Sequence, residues 1–123
     1  MIFLASPYTD PDPRVRRARY RAAVAFCARH VLHDQEHRPI FSPIVHSHPV
    51  AEAAPALQKK PTEFWMALNA PFLEAASQLW VLGLSGWEKS EGIAAERAAA
   101  ETRGIPVRLY EPKGFAGTWE RLS

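Results

Sequence analysis

Cysteine is almost absent from this sequence of 123 residues, in which only Cys27 occurs. A single cysteine excludes an internal disulfide and any cysteine-rich metal site. A chain that folds without disulfides suits a reducing compartment, so we expect a cytoplasmic protein.

Long apolar runs and a strong excess of charge are absent as well. The longest apolar run, residues 22–28, is far shorter than the roughly 18 residues of a membrane span. The first residues also lack the basic segment that opens a signal peptide. The formal net charge of +2 is too small to indicate a nucleic-acid partner. We therefore expect no membrane and no nucleic-acid polymer as partner, and a single domain over residues 1–123, because a chain of about 120 residues can bury one core.

Apolar runs alternate with helical stretches along the chain. The apolar runs predict strands at 2–5, 38–45, 79–84 and 105–110. Capping signals and composition predict helices at 13–32, 62–77 and 91–103, the second with a break near Asn69. The three prolines of residues 46–61 predict a long loop that can serve as a lid. This order predicts an α/β fold of three layers, α/β/α, flavodoxin-like or Rossmann-like, with a parallel sheet of four or five strands.

Polar segments follow three of the predicted strands. Ligands of parallel α/β sheets bind beyond the carboxyl ends of the strands. Residues 6–8, 42–48 and 83–90 stand at those ends and therefore share one rim of the predicted sheet. This rim is the expected binding site.

The segment from Gly86 to Glu96 carries the clearest chemical pattern. Ser90 is placed to cap the following helix, whose first free N–H groups can bind an anion or a sugar hydroxyl. Glu96 lies one turn after Gly92 on the same helix face, and no cation stands three or four residues from it. A carboxylate with an open approach and no partner can act as a nucleophile, although a solvated helix glutamate has the same spacing.

Three motifs resemble the nucleoside 2-deoxyribosyltransferase-like superfamily. They are the opening Phe3-Leu4-Ala5-Ser6-Pro7, the run Ser42-Pro43-Ile44, and Ser90-x-Gly92-x-x-x-Glu96. The resemblance covers roughly residues 2–110 and is strongest to a small bacterial and phage branch with Gly-Trp, here Gly86-Trp87, before the Ser-x-Gly motif.

The resemblance implies a glycosidase-like activity. In that superfamily the glutamate matching Glu96 attacks the anomeric carbon of a nucleoside, the base leaves, and water or a second base takes the sugar. Serine at the position of Ser90 is typical of the nucleoside-monophosphate glycosidases, where it helps to hold the 5′-phosphate. Asn69 and Ser77 stand where the Gly-Trp branch would have Asp, and an amide such as Asn69 can hydrogen-bond a departing base without protonating it. Asn69 can equally cap the helical segment that holds Pro71.

The remaining candidate residues each have two interpretations. Tyr8 and Trp87 can stack on a base or complete the core. Arg17 belongs to a run of arginines that can reach a phosphate or form a solvated basic face. His46 can contact the base from the lid. His46 and His48 have the spacing of a two-histidine metal pair, but a metal site needs further ligands, so we expect no metal and no cofactor.

Three functions are compatible with these observations. The leading hypothesis is a nucleoside or nucleoside 5′-monophosphate N-glycosidase or deoxyribosyltransferase-like enzyme. Its predicted catalytic residues are Glu96 and Asn69, and its predicted substrate-binding residues are Ser6, Pro7, Tyr8, Ser42, His46, Trp87, Ser90, Gly92 and Arg17. The alternatives are a catalytically silent nucleotide-binding module and a metal-dependent hydrolase that uses the His-x-His pair. The expected partners are a small-molecule nucleoside or nucleotide and further copies of the chain, in a homodimer or higher homo-oligomer.

Overall fold

The computed structural model describes residues 1–113 and 119–122. Its strands are β1 (Ile2–Ala5), β2 (Ile40–Phe41), β3 (Gln78–Leu82), β4 (Val107–Pro112) and β5 (Trp119–Arg121). They form one sheet in the order β2-β1-β3-β4-β5. The first four strands are parallel, which confirms the predicted sheet, and β5, which the sequence pattern did not predict, pairs antiparallel with β4.

Helices cover both faces of the sheet. They are α1 (Pro13–His33), α2 (Pro43–Ala53), α3 (Thr62–Ala75) and α4 (Glu91–Arg103), with short 3₁₀ helices at Pro55–Lys59 and Trp87–Lys89. Within the described residues, no helix combines the length and the apolar character needed to cross a membrane.

Strand β1 lies between two apolar layers, one on each face of the sheet. Side chains alternate along a strand, so Ile2 and Leu4 pack with α1 on one face of the sheet. Phe3 and Ala5 pack with α3 and α4 on the other. Because β1 is covered on both faces, its sequence is a continuous apolar run instead of an alternating one. The α/β/α architecture is confirmed.

Local signals fix the ends of α1 and α4. Asp12 caps α1 by accepting a hydrogen bond from the Arg14 amide at 2.9 Å, and Pro13 occupies the first helical position. Ser90 caps α4, and Gly104 ends it in the left-handed conformation with φ of +71°. These boundaries agree with the prediction.

The predicted loop at 46–61 is wrong, because α2 occupies its whole first half and the 3₁₀ helix Pro55–Lys59 lies in its second half. Pro43 starts this helix, and the Ser42 hydroxyl caps it by accepting a hydrogen bond from the Val45 amide at 3.2 Å. The strand predicted at 38–45 is therefore cut to Ile40–Phe41. Pro49 sits inside the helix, where its missing N–H removes the hydrogen bond to the carbonyl four residues earlier.

The predicted break near Asn69 is wrong as well. Helix α3 runs without interruption through Pro71. Packing offsets the missing hydrogen bond, since Leu73 is buried in the core and the Phe72 ring stacks on Phe41 with centroids 4.0 Å apart. Asn69 is thus inside a helix and does not cap one.

Candidate functional site

A cavity of about 760 Å³ opens at the carboxyl ends of β1 and β3. Cavities of roughly 300–1,000 Å³ are typical of small-molecule sites. Its wall comes from the loop after β1, from α2 and α3, and from the start of α4. The predicted site residues that line it are Ser6, Pro7, Tyr8, Asn69, Ser90, Gly92 and Glu96. Topology therefore brings Ser6 and Glu96 to the same cavity, as the sequence order predicted.

Glu96 reaches the cavity from the first half of α4 and is only 7% exposed. Burial raises the pKa of its carboxyl group from 4.5 to about 8. No cation among the described residues forms an ion pair with it. At neutral pH the protonated form therefore predominates, so the ionised carboxylate expected from the sequence is the minor form.

The approach to Glu96 passes Gly92 and Ser90. A Cβ placed on Gly92 would meet only the Ser90 hydroxyl, at 3.8 Å, so this position opens onto the cavity. The Ser90 oxygen accepts a hydrogen bond from the Ile93 amide at 3.2 Å. Its own hydroxyl proton is not used by this cap and remains available to a ligand.

Ser6 faces the cavity from the end of β1. It is 7% exposed, and its hydroxyl oxygen has no hydrogen-bond partner among the described residues. A buried hydroxyl without a partner is costly. Together with the carboxyl group of Glu96, it gives the cavity two buried polar groups that a ligand hydroxyl can satisfy.

Tyr8 and His48 form a pair in the cavity wall. The Tyr8 hydroxyl lies 2.7 Å from His48 Nδ1, although the two residues come from the loop after β1 and from α2. His48 Nε2 lies 2.8 Å from Glu52 Oε1, one helical turn further along α2. This second contact is an ion-pair distance without the alignment of a hydrogen bond.

Arginines from α1 surround the loop after β1. Arg19 donates to the carbonyls of Thr9 and Ser85, each at 3.1 Å, and so ties this loop to the one after β3. Arg16 donates to the Asp10 carbonyl at 2.5 Å. Both arginines line the cavity. The predicted Arg17 does not; it is exposed and lies 3.9 Å from Glu52.

A family model described as Domain of unknown function (DUF1937) matches residues 1–112. The chain belongs to this family. No curated protein matches it. The matched residues include every described residue that lines the cavity.

Three other predicted residues of this DUF1937 chain lie outside the cavity wall. Ser42 is buried and serves as the cap of α2. His46 is exposed and contacts Phe41, with ring centroids 6.4 Å apart. Trp87 packs against the apolar core beneath α4. Of these three residues, Trp87 thus has the position expected for a core residue, and none of the three lines the cavity.

The two histidines of the His-x-His pair point apart. Residues two positions apart lie on different sides of a helix, and both histidines are on α2. His48 is occupied by Tyr8 and Glu52, while His46 faces outwards. Over residues 1–113 and 119–122, no group of three or more His, Cys, Asp or Glu side chains is arranged to hold a metal ion. The metal-dependent hydrolase therefore has no ligand set in the described part of the chain.

Sequence reasoning missed the contact between His48 and Glu52. Their spacing of four places them on one face of a helix, and this relation has meaning only once residues 43–53 are known to be helical. The available signal was the pair Ser42-Pro43, which is a cap followed by a proline at the first helical position.

Proposed function

We propose that this chain is a nucleoside or nucleoside 5′-monophosphate N-glycosidase, or a related deoxyribosyltransferase-like enzyme. The observation that carries the proposal is the buried carboxyl group of Glu96, which has no ion-pair partner among the described residues and faces a cavity of about 760 Å³. The resemblance to the deoxyribosyltransferase-like superfamily gives the same residue the role of nucleophile.

The proposed reaction has two steps. A carboxylate oxygen of Glu96 attacks the anomeric carbon, the bond from carbon to nitrogen breaks, and its electron pair leaves with the base. Water or a second base then attacks the sugar ester and releases Glu96. Only the ionised carboxylate is nucleophilic. With a pKa of about 8, Glu96 is ionised in about a tenth of the protein molecules at neutral pH. The positive charge that develops on the sugar in the transition state favours this ionised form.

The cavity has groups for each part of such a substrate. The unpartnered Ser6 hydroxyl can bond a sugar hydroxyl. Ser90 and the first amides of α4 can bind a 5′-phosphate. Tyr8 and Trp65 line the cavity and offer aromatic surface to a base. Asn69, which is half-buried in the wall, can hydrogen-bond that base.

The test is a chromatographic assay for free base, with nucleosides and nucleoside monophosphates as substrates. Glu96→Gln keeps the shape of the side chain and removes the nucleophile, so base release should fall by about a thousandfold or more. Glu101→Gln is the matched control, because Glu101 is an exposed glutamate on the same helix. Equal rates in both variants and the parent would refute a nucleophilic Glu96.

A binding module without turnover is the second candidate. Two observations favour it: Glu96 is mostly protonated at neutral pH, and the residue at position 69 is an amide. In this case nucleotides would raise the melting temperature of the protein without release of base. Measuring both base release and melting temperature on the same samples therefore distinguishes the enzyme from the binding module.

We also propose that the protein is a cytoplasmic homodimer or higher homo-oligomer. Apolar side chains on α3 support the association, since Leu68 is 53% exposed and Phe72 is 41% exposed. Light scattering at micromolar concentration tests it, and a monomeric mass would contradict it.

A further inference from the structure

A chain of three side chains leads from the cavity to the protein surface. The Tyr8 hydroxyl lies 2.7 Å from His48 Nδ1, and His48 Nε2 lies 2.8 Å from Glu52 Oε1. His48 is 4% exposed, whereas the side chain of Glu52 is 50% exposed. A polar side chain that is this deeply buried is usually hydrogen-bonded. Here Nδ1 has a hydrogen-bond partner in Tyr8, and Nε2 lies at ion-pair distance from Glu52 without an aligned hydrogen bond.

The surroundings hold the imidazole ring in one orientation. Tyr20, from α1, stacks on the His48 ring with centroids 4.2 Å apart and an angle of 22° between the planes. Glu52 lies one turn along α2 from His48 and is held on its other side by Arg17 at 3.9 Å. This is the arrangement of a hydroxyl, a base and an orienting carboxylate that catalytic triads use to move a proton.

We propose that Tyr8, His48 and Glu52 form an acid–base relay that protonates the departing base. This inference rests on the proposed N-glycosidase function. A purine or pyrimidine leaves slowly as an anion, so the reaction needs a proton donor in the cavity wall. The amide of Asn69 cannot supply a proton, whereas Tyr8 lines the cavity and its hydroxyl contacts the imidazole of His48.

The proton leaves His48 through Tyr8 in the first step and returns to His48 in the second. As the bond from the sugar to the base breaks, its electron pair goes to the base nitrogen, which takes the Tyr8 hydroxyl proton. The Tyr8 oxygen takes the Nδ1 proton of the His48 imidazolium, so neutral imidazole remains beside the Glu52 carboxylate. When water attacks the ester on Glu96, its proton returns through Tyr8 to His48. Acid and base are thus one group, as microscopic reversibility requires of a retaining mechanism.

The test compares two leaving groups. One substrate is an ordinary purine deoxynucleoside, whose base needs a proton. The other is its 7-methylated form, whose base already carries a positive charge and leaves as a neutral molecule. Base release is measured in the first turnover, before water attacks the ester on Glu96. In that step Tyr8→Phe and Glu52→Gln should slow the ordinary substrate by about a hundredfold or more and the methylated one by less than about threefold. Glu101→Gln, at an exposed glutamate outside the cavity wall, is the matched control for Glu52→Gln and should react like the parent with both substrates.

The outcomes separate this inference from the proposed function. Equal losses with both substrates would overturn the relay, since Tyr8 would then only position the ligand. Unchanged rates for the ordinary substrate in Tyr8→Phe and Glu52→Gln would overturn it too. Glu96→Gln should slow base release from both substrates. If it slows neither, Glu96 is not the nucleophile, and the result does not bear on the relay. If the parent releases no base from either substrate, the proposed function fails and the relay fails with it. Both test variants alter side chains that are not fully buried, so the comparison does not depend on the folding of a variant of the buried His48.

Discussion

Gly92 lies one helical turn before Glu96, and a Cβ added to Gly92 would meet no atom of the protein closer than the Ser90 hydroxyl at 3.8 Å. The missing side chain therefore serves no packing need of α4. Glycine inside a helix costs about 0.5–1 kcal/mol relative to alanine. In return for this cost, the glycine keeps the path from the cavity to the Glu96 carboxyl group open.

We predict that Gly92→Ala makes the protein more stable and less able to bind its ligand. The free energy of unfolding should rise by about 0.5–1 kcal/mol, since alanine restricts the unfolded chain and fits the helix. The new methyl group stands in the cavity, so nucleotide binding and base release should fall by about tenfold or more, because each 1.4 kcal/mol of lost contact is tenfold in affinity. Urea denaturation and calorimetric titration measure the two effects. A variant with unchanged binding would place the ligand elsewhere in the cavity.

The parts of the fold that were predicted from the sequence are those with local signals. Asp12, Ser90 and Gly104 each fix a helix end through contacts with residues close in the chain. Helix α2 was missed because the three prolines of residues 46–61 suggest a loop and Pro43 falls in a predicted strand, although Pro43 starts the helix.

The site was predictable only in part, for the same reason. The position of Glu96 beside Gly92 follows from helix geometry alone, but its burial and raised pKa depend on how the sheet and neighbouring helices cover it. The contact of Tyr8 with His48 joins residues 40 positions apart, and no local pattern contains it. Long-range contacts of this kind require the topology first.

Stability should depend on pH through Glu96. Its pKa is about 8 in the folded protein and near 4.5 in the unfolded chain, so between these values only the folded state keeps the proton. Stability then falls as pH rises from 4.5 to 8, by about 1.4 kcal/mol per pH unit and on the order of 5 kcal/mol in all. Glu96→Gln carries no charge at any pH and should be more stable than the parent at alkaline pH but similar near pH 4.5. Urea denaturation across this pH range measures the stability difference between Glu96→Gln and the parent, with Glu101→Gln as control. A stability difference that does not vary with pH would contradict the prediction.

Ser90 should determine the preference for a 5′-phosphate. Ser90→Ala would also remove the cap of α4, at a cost of about 1 kcal/mol. Ser90→Asp keeps a capping oxygen but places a negative charge beside the phosphate site. We expect this variant to bind nucleosides as before and monophosphates at least about tenfold more weakly, because charge-assisted hydrogen bonds are worth about 1.5–3 kcal/mol. Calorimetric titration with both ligands measures the ratio. Equal losses for both ligands would exclude a phosphate at Ser90.

The pH dependence of turnover distinguishes a nucleophilic Glu96 from an acidic one. The value of kcat/KM reports the ionisation of groups in the free enzyme. Because burial holds the pKa of Glu96 at about 8, a reaction that needs its carboxylate should speed up by about tenfold per pH unit below that value and level off above it. The 7-methylated nucleoside is the right substrate for this measurement, since its base leaves without a proton and its release does not need the relay. Glu101→Gln should keep the same midpoint. A rate that falls above pH 8 would mean that Glu96 acts as a proton donor, and a midpoint near 4.5 would assign the titration to a solvated carboxylate instead.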